Sequence, residues 1–241
     1  MTYIRGIGPV LEALRAGSRR IDRIIVAEGA RGGRVSELIE EARSQGVQLR
    51  REPRAALDRL AGGANHQGVV AVTSAIGYAD PDELLARSGP KALMVLLDGI
   101  EDPHNLGAII RTAECAGATA VVIPERRSAH VTETVVKTSA GATEHLPVAR
   151  VQNLSNFIEA LKRQSFWVVG VDPEAKLNYT DYDYSGRLAL VFGAEGHGLH
   201  RLVQDKCDVT VRVPMHGQIQ SLNVSVTVGV VLFEAVRRRG Q

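Results

Sequence analysis

Hydrophobic positions in the first 75 residues switch between two spacings. Short apolar runs predict strands, whereas apolar positions three and four apart predict helices. Strands that alternate with helices are typical of a small α/β unit. The predicted strands are residues 23–27, 47–49 and 69–73, and the predicted helices are residues 35–45 and 54–60.

The remainder of the chain repeats this alternation with longer apolar runs. Residues 92–98 are almost entirely apolar, as expected for a parallel strand that is buried on both faces. The pattern predicts a layered parallel sheet. Further strands are predicted at 120–123, 146–151, 166–171, 188–193 and 209–213, and helices at 106–116, 130–137 and 154–164.

The last segment, residues 222–239, is ambiguous in its pattern. Its many valines favour a strand. Its length, the start signal at Ser221 and Asn223, and the three arginines at 237–239 favour a helix, which is our prediction.

The pattern lapses between residues 74 and 91, where Gly77, an Asp-Pro pair and a Gly-Pro pair surround one weak helical stretch at 82–87. Turn-forming residues in this density are typical of a connection between domains. We therefore predict a leading domain at 1–75, a linker at 76–91 and a second domain at 92–241.

Composition and charge narrow the class of protein. With 241 residues and 44% apolar residues, the chain can form packed cores. Residues 1–75 carry 12 arginines and 8 acids, a charge of +4, whereas residues 76–241 carry 17 bases and 19 acids, a charge of −2. A basic leading domain fits a polyanionic partner, although an ordinary solvated surface explains the excess equally well.

Cysteine usage and hydropathy point to the cytoplasm. Cys115 and Cys207 lie far apart, without a CxxC motif or neighbouring histidines, so neither a disulfide framework nor a zinc site is expected. The sequence has neither an apolar run of about 18 residues nor a signal-like start. A cytoplasmic protein in a reducing setting is therefore predicted.

Ligands of parallel sheets bind at the carboxyl ends of the strands, so the loops that follow predicted strands are candidate sites. The first such loop, residues 98–111, contains Asn105 and Arg111. Asn105 can cap the following helix or contact a ligand. Arg111 follows three apolar residues, and a buried guanidinium there would require a partner anion.

Two later loops add further candidates. In residues 191–199, three glycines allow close approach of the backbone to a ligand, and Glu195 is the acid; a tight turn without a ligand is the alternative. His197 and His200 lie three residues apart without a third ligand, so no metal is predicted. In residues 213–225, Ser221 and Asn223 can hold a ribose or an adenine edge, or cap the last helix.

Several common catalytic motifs are missing from the sequence. It contains no GxxxxGK[ST] phosphate loop, no GxSxG elbow and no HExxH metal motif, and the glycines at 193–198 do not have the dinucleotide-binding GxGxxG spacing. An enzyme of this sequence must use another kind of site.

The three loops together resemble the motifs of the SpoU family of RNA ribose 2′-O-methyltransferases, in the knotted SPOUT superfamily. The matching segments are residues 102–113, 193–199 and 221–226, in the family's order within residues 92–239. The leading domain, with its start at 6–14 and its His-Gln-Gly-Val at 66–69, resembles the ribosomal-protein-L30e-like RNA-binding domain of the bacterial enzymes that methylate guanosine in 23S ribosomal RNA.

This resemblance implies an α/β fold whose last helix is threaded through a loop as a trefoil knot, a homodimer, an RNA substrate and the cofactor S-adenosylmethionine. It implies that the cofactor lies against Gly193, Ala194, Val213, Pro214, Leu222 and Asn223. It also implies that the catalytic residues are Arg111, Asn105, Glu195, Ser221 and Asn223.

Among the implied catalytic residues, Arg111 is the candidate cation for the ribose 2′-oxygen, because a guanidinium is too basic to act as the general base. The identity of the proton acceptor is left open.

Other functions share these motifs. A transfer RNA ribose methyltransferase, an adenosine 2′-O-methyltransferase of the antibiotic-resistance type and a non-catalytic RNA-binding assembly factor are the alternatives to methylation of a guanosine in 23S ribosomal RNA. The complete set of candidate side chains argues against the non-catalytic alternative, because a protein without activity has no chemical need for all of them.

Overall fold

The structure is a computed structural model that describes residues 2–17, 21–73, 77–196, 198–219 and 221–240. The strands are β1 (Thr2–Arg5), β2 (Ile21–Ala27), β3 (Gln48–Glu52), β4 (Val69–Thr73), β5 (Leu93–Asp98), β6 (Ala120–Pro124), β7 (Val148–Val151), β8 (Trp167–Val171), β9 (Leu177–Asn178), β10 (Leu188–Gly193) and β11 (Val209–Arg212). The helices are α1 (Ile7–Ala16), α2 (Gly33–Ser44), α3 (Arg54–Ala61), α4 (Pro81–Arg87), α5 (Pro103–Cys115), α6 (Glu133–Thr138), α7 (Leu154–Arg163), α8 (Arg201–Gln204) and α9 (Val224–Arg239).

The chain divides into two compact units. One unit contains residues 1–77 together with 131–145, and the other contains residues 78–130 and 146–241. The segment 131–145, which the sequence pattern places in the second domain, thus packs with the leading residues. Within that unit, Arg5 forms an ion pair with Glu133, and Glu12 accepts a hydrogen bond from His145 at 2.9 Å.

The leading unit is built on a mixed four-stranded sheet in the order β1-β4-β2-β3. β4 is antiparallel to both of its neighbours, whereas β2 and β3 are parallel. Helices α1 and α2 cover one face and α3 covers the other, so the central strand β4 is buried throughout. This double burial explains why β4 reads as an unbroken apolar run.

The His-Gln-Gly turn before β4 has a structural role. His66 is buried; its Nε2 pairs with Asp58 at 2.8 Å, and its Nδ1 accepts the amide of Gly68 at 3.0 Å. Gly68 has a φ of 80°, which a residue with a side chain rarely adopts. The side chain of Gln67 accepts a hydrogen bond from the amide of Ile7, so this turn also fixes the start of α1.

The second unit contains a seven-stranded sheet in the order β7-β6-β5-β10-β8-β11-β9. Each neighbouring pair of strands is parallel, which confirms the predicted parallel sheet. β5 is buried along its whole length, and its last residue, Asp98, lies opposite Gly193 of β10. The carboxyl ends of β5 and β10 therefore meet at the same edge.

Helices cover both faces of this sheet. α4, α7 and α8 pack on one face through a continuous apolar cluster. α5 and α9 pack against each other, and α9 also packs on β10. The terminal arginine of α9, Arg239, donates hydrogen bonds to the carbonyls of Lys91, Tyr184 and Gly186, which fixes the end of this helix.

The sequence pattern identified most elements of the second unit, including the helix at the end of the chain. It assigned nothing to residues 2–16, which form β1 and α1, and it missed β9 and α8. The helix predicted from residue 130 begins only at Glu133. Threading of α9 through a loop stays a prediction. Within the described part of the chain, no helix is long and apolar enough to cross a membrane.

Candidate active site

Two clefts open at the edge of the sheet where β5, β8, β10 and β11 end. The larger, of about 530 Å³, is here called the β10 cleft, and its volume lies within the range of about 300–1,000 Å³ usual for small-molecule sites. Loops after β8, β10 and β11 and the approach to α9 form its walls. Its lining residues are Val171, Asp172, Pro173, Glu174, Phe192, Gly193, Ala194, Glu195, Gly196, Gly198, Val213, Met215, Ser221, Leu222, Val224 and Thr227.

The second cleft, of about 430 Å³, lies beside the first and is called the α5 cleft. It is lined by the loop after β5, the start of α5, two side chains that belong to this cleft alone and three residues shared with the β10 cleft. Ala194, Glu195 and Val224 belong to both clefts, so the two volumes adjoin. The remaining lining residues are Gly99, Ile100, Glu101, Asp102, Asn105, Arg127 and His200.

The tight turn after β10 requires a glycine at position 193. A Cβ at this position would overlap the carbonyl of Gly198 and lie 2.5 Å from the amide nitrogen of Leu199. The amide of Gly198 donates to the carbonyl of Ala194 at 3.0 Å, which closes the turn. The absence of a side chain therefore allows the backbone to fold back on itself and to present Ala194 and Glu195 to both clefts.

Three predicted side chains from three separate parts of the chain come together where the clefts adjoin. The side-chain amide of Asn223 donates to Oδ1 of Asn105 at 3.0 Å and lies 3.5 Å from Oε2 of Glu195. These residues are 118 and 28 positions from Asn223 in the sequence. These contacts form a polar cluster in which the two asparagine side chains can donate and accept hydrogen bonds and the carboxylate of Glu195 can accept them.

The structure shows which of these residues cap a helix. Asp102, not Asn105, caps α5 by accepting the amide of His104 at 2.9 Å. Asn105 lies inside the helix, so the cap interpretation was wrong and its side chain is directed to the cleft instead. Asn223 does cap α9, since its Oδ1 accepts the amide of Ser225 at 2.9 Å. It therefore both caps a helix and contributes to the polar cluster.

Arg111 stands apart from this cluster. Its side chain is exposed, so the burial that its apolar neighbours suggested does not occur. It lines neither cleft, and within the described part of the chain it has no hydrogen-bonded or ionic partner. Arg111 follows Asn105 by six residues, or about 600° of helix rotation, which places the two side chains roughly 120° apart.

Several of the other predicted positions line the β10 cleft. Ser221 lines the β10 cleft, as do Gly193, Ala194, Val213 and Leu222. Pro214 lines neither cleft. His197 is outside the described residues.

Sequence reasoning missed several lining residues. Residues 172–174 follow β8 and could have been found by the same strand-end rule, because 166–171 was a predicted strand. The carboxylate of Asp172 is buried and accepts the amide of Glu174 at 2.8 Å and the side-chain amide of Gln204 at 3.0 Å. Arg127 was missed because it reaches the α5 cleft from a loop that the sequence does not place near it. His200 follows a candidate loop but was considered only as a metal ligand.

Cys207 is poorly suited to act as a nucleophile. Burial, together with the nearby carboxylate of Asp208, raises the pKa of its thiol to about 12. The thiol therefore stays protonated at neutral pH. In the described residues, no cluster of three or more His, Cys, Asp and Glu side chains could hold a metal ion.

Family models match both units. A model described as RNA 2′-O ribose methyltransferase substrate binding matches residues 3–79, and the model of the SpoU rRNA Methylase family matches residues 92–233.

Individual relatives match along almost the whole chain. The 23S rRNA (guanosine-2′-O-)-methyltransferase RlmB of Xylella fastidiosa is 42% identical, and the alignment covers 98% of this chain and 96% of that protein. YacO of Bacillus subtilis, assigned to the TrmH family of tRNA/rRNA methyltransferases, is 42% identical over the same shares. The crystal structure of the SpoU methyltransferase AviRb from Streptomyces viridochromogenes with AdoMet superposes with a TM-score of 0.83 at 25% identity, over 98% of this chain and 89% of that one.

Proposed function

The chain belongs to the SpoU rRNA methylase family, and we propose that it transfers a methyl group from S-adenosylmethionine to a ribose 2′-hydroxyl of RNA, at a guanosine of 23S ribosomal RNA. The observation that carries this proposal is the contact of Asn105, Glu195 and Asn223 at the junction of two adjoining clefts. One cleft then holds the cofactor and the other holds the nucleotide.

The residues of the β10 cleft fit S-adenosylmethionine. The tight backbone at Gly193 and Ala194 lets a ligand approach the peptide groups, and Val213 and Leu222 supply apolar walls. Glu174 and Glu195 supply negative charge for a cofactor that carries a sulfonium and an ammonium group. Such apolar walls with a few convergent polar groups are usual in cofactor sites.

The bound cofactor supplies a methyl group that is already activated, so the chain must position the ribose and stabilise the oxygen that attacks. Asn105 and Glu195 line the α5 cleft beside the junction and can hydrogen-bond a ribose there. Correct positioning contributes up to about 7–11 kcal/mol in favourable model reactions. Arg111 is the proposed cation for the 2′-oxygen and the adjacent phosphate.

The leading unit is proposed to bind the RNA. Exposed arginines without an ionic partner in the described part of the chain include Arg31, just before α2, and Arg34, in its first turn. The guanidinium of Arg34 lies over the first turn of α1, where a Cβ on Gly8 would be 3.6 Å from it. Unpaired guanidinium groups bind phosphate, and the charge excess of this unit favours association with a polyanion.

A homodimer is proposed through α9. Val226 and Phe233 are 50% and 49% exposed and lie seven residues apart, on the same face of the helix. Exposed apolar stripes on a helix commonly mark an interface.

The proposed activity is tested by incubating the protein with methyl-labelled S-adenosylmethionine and unmodified ribosomal RNA. Nucleoside analysis should detect 2′-O-methylguanosine in 23S RNA. Label in transfer RNA or in 2′-O-methyladenosine would contradict the proposed substrate and identify a different one. No label in any RNA would contradict the proposal that the protein is an enzyme.

The role of the leading unit is tested by charge reversal at Arg31 and Arg34. We expect Arg31→Glu with Arg34→Glu to weaken binding of 23S RNA fragments and to reduce the salt dependence of the binding constant by about one logarithmic slope unit for each lost phosphate contact. Arg87→Glu, at an exposed arginine of α4 that pairs with Glu83, is the control. Equal RNA affinity of the double variant and the control would contradict the assignment of the RNA-binding surface to Arg31 and Arg34.

A further inference from the structure

A buried carboxylate at the end of β5 has a histidine as its partner. Asp98 is only 6% exposed, and both of its carboxylate oxygens contact His200: Oδ2 accepts the backbone amide at 2.8 Å and Oδ1 lies 3.0 Å from ring atom Nδ1. A buried carboxylate requires such donors. Nδ1 therefore carries the hydrogen, and in the neutral ring Nε2 is the proton acceptor.

The imidazole of His200 is placed in the α5 cleft. Its side chain is 49% exposed, and it lines this cleft together with Asn105 and Glu195. Gly99 leaves space for the ring, since a Cβ there would lie 3.3 Å from Cε1 of His200. Within the described residues, Nε2 has no hydrogen-bond partner, so it is available to a ligand.

We infer that His200 accepts the proton of the ribose 2′-hydroxyl during methyl transfer and that Asp98 holds the ring for this purpose. The inference deepens the proposed function and rests on it. The 2′-oxygen forms a bond to the methyl carbon, the carbon–sulfur bond breaks with its electron pair on sulfur, and the hydroxyl proton moves to Nε2. The positive charge of the sulfonium thus reappears on an imidazolium paired with Asp98.

Imidazole suits this role better than the other side chains of the site. Its ordinary titration lies close to neutral pH, whereas a guanidinium does not release its proton. A carboxylate that orients the ring also stabilises the imidazolium that forms. The charged groups that line the same cleft are Glu101, Asp102 and Glu195, with Arg127 as the cation.

The test is a pH–rate profile of the full-length protein under single-turnover conditions with saturating RNA. His200→Asn keeps an amide donor for Asp98 and removes the titrating ring. We expect its rate near pH 7.5 to fall by about a hundredfold or more. The wild-type rate should rise with pH and then level off, whereas the variant should lack that plateau. His130→Asn, an exposed histidine that lines neither cleft, should behave as wild type.

Two further measurements separate catalysis from structure. Calorimetric binding of S-adenosylmethionine to His200→Asn should match the wild type, and added imidazole should partly restore the rate of His200→Ala. A wild-type pH profile in His200→Asn, or weakened cofactor binding without imidazole rescue, overturns the inference. Failure of the wild-type protein to methylate RNA at all would instead contradict the proposed function.

Discussion

Replacing Gly193 by alanine is expected to abolish both cofactor binding and methylation. The added methyl group would overlap the carbonyl of Gly198, and both groups belong to backbone that cannot move independently. The turn between Ala194 and Gly198 must open to accommodate it, and this shifts Glu195 away from Asn223. Calorimetry with S-adenosylmethionine should detect no binding at concentrations that saturate the wild type.

A matched variant separates this local effect from a general cost of alanine in place of glycine. Gly217 lies in the loop before α9, and a Cβ there would meet no atom within 4 Å. Gly217→Ala should therefore bind the cofactor as the wild type does. Thermal unfolding of both variants, followed by circular dichroism, shows whether the sheet has survived. Wild-type cofactor affinity in Gly193→Ala would contradict the assignment of the β10 cleft.

The parts of the fold that the sequence reveals are those in which burial is complete. β5 and β10 lie between two layers of helices, so nearly every position is apolar and the run is recognisable without neighbours. The loops that follow them are then found by the strand-end rule, which made Asn105 and Glu195 candidates. Asn223 became a candidate from the loop after β11, and the resemblance to the SpoU motifs joined the three into one predicted site. The strand-end rule works best after strands that are buried on both faces, because burial alone then determines their sequence pattern.

The contacts that the sequence does not reveal depend on strand order. Asp98 and His200 are 102 residues apart and meet because β5 and β10 are neighbours, with Asp98 opposite Gly193. No local pattern encodes that neighbour relation. The apolar residues before Arg111 were a poor guide for a similar reason, since they face the sheet and α9 while the guanidinium lies on the opposite side of α5.

Replacing Arg111 by alanine is expected to reduce methyl transfer by about a hundredfold or more while S-adenosylmethionine binding persists. A fixed cation at an oxygen that gains negative charge is worth about this much, and the residue lines neither cleft, so the cofactor site is unaffected. Single-turnover methylation and calorimetry measure the two effects. Arg163→Ala, an exposed arginine on α7, is the control, and loss of cofactor binding in Arg111→Ala would place this residue in the cofactor site instead.

The position of Arg111 also predicts whether it acts in the active site of its own subunit or in that of the partner. Because its side chain is exposed and turned away from the α5 cleft, we expect it to complete the site of the partner in the proposed homodimer. Mixing Arg111→Ala with Gly193→Ala subunits should then restore about a quarter of wild-type activity, since half of the random dimers are mixed and each mixed dimer has one site with both functions intact. Arg111 acting within its own subunit would give no recovery, because neither subunit of a mixed dimer would then hold an intact site.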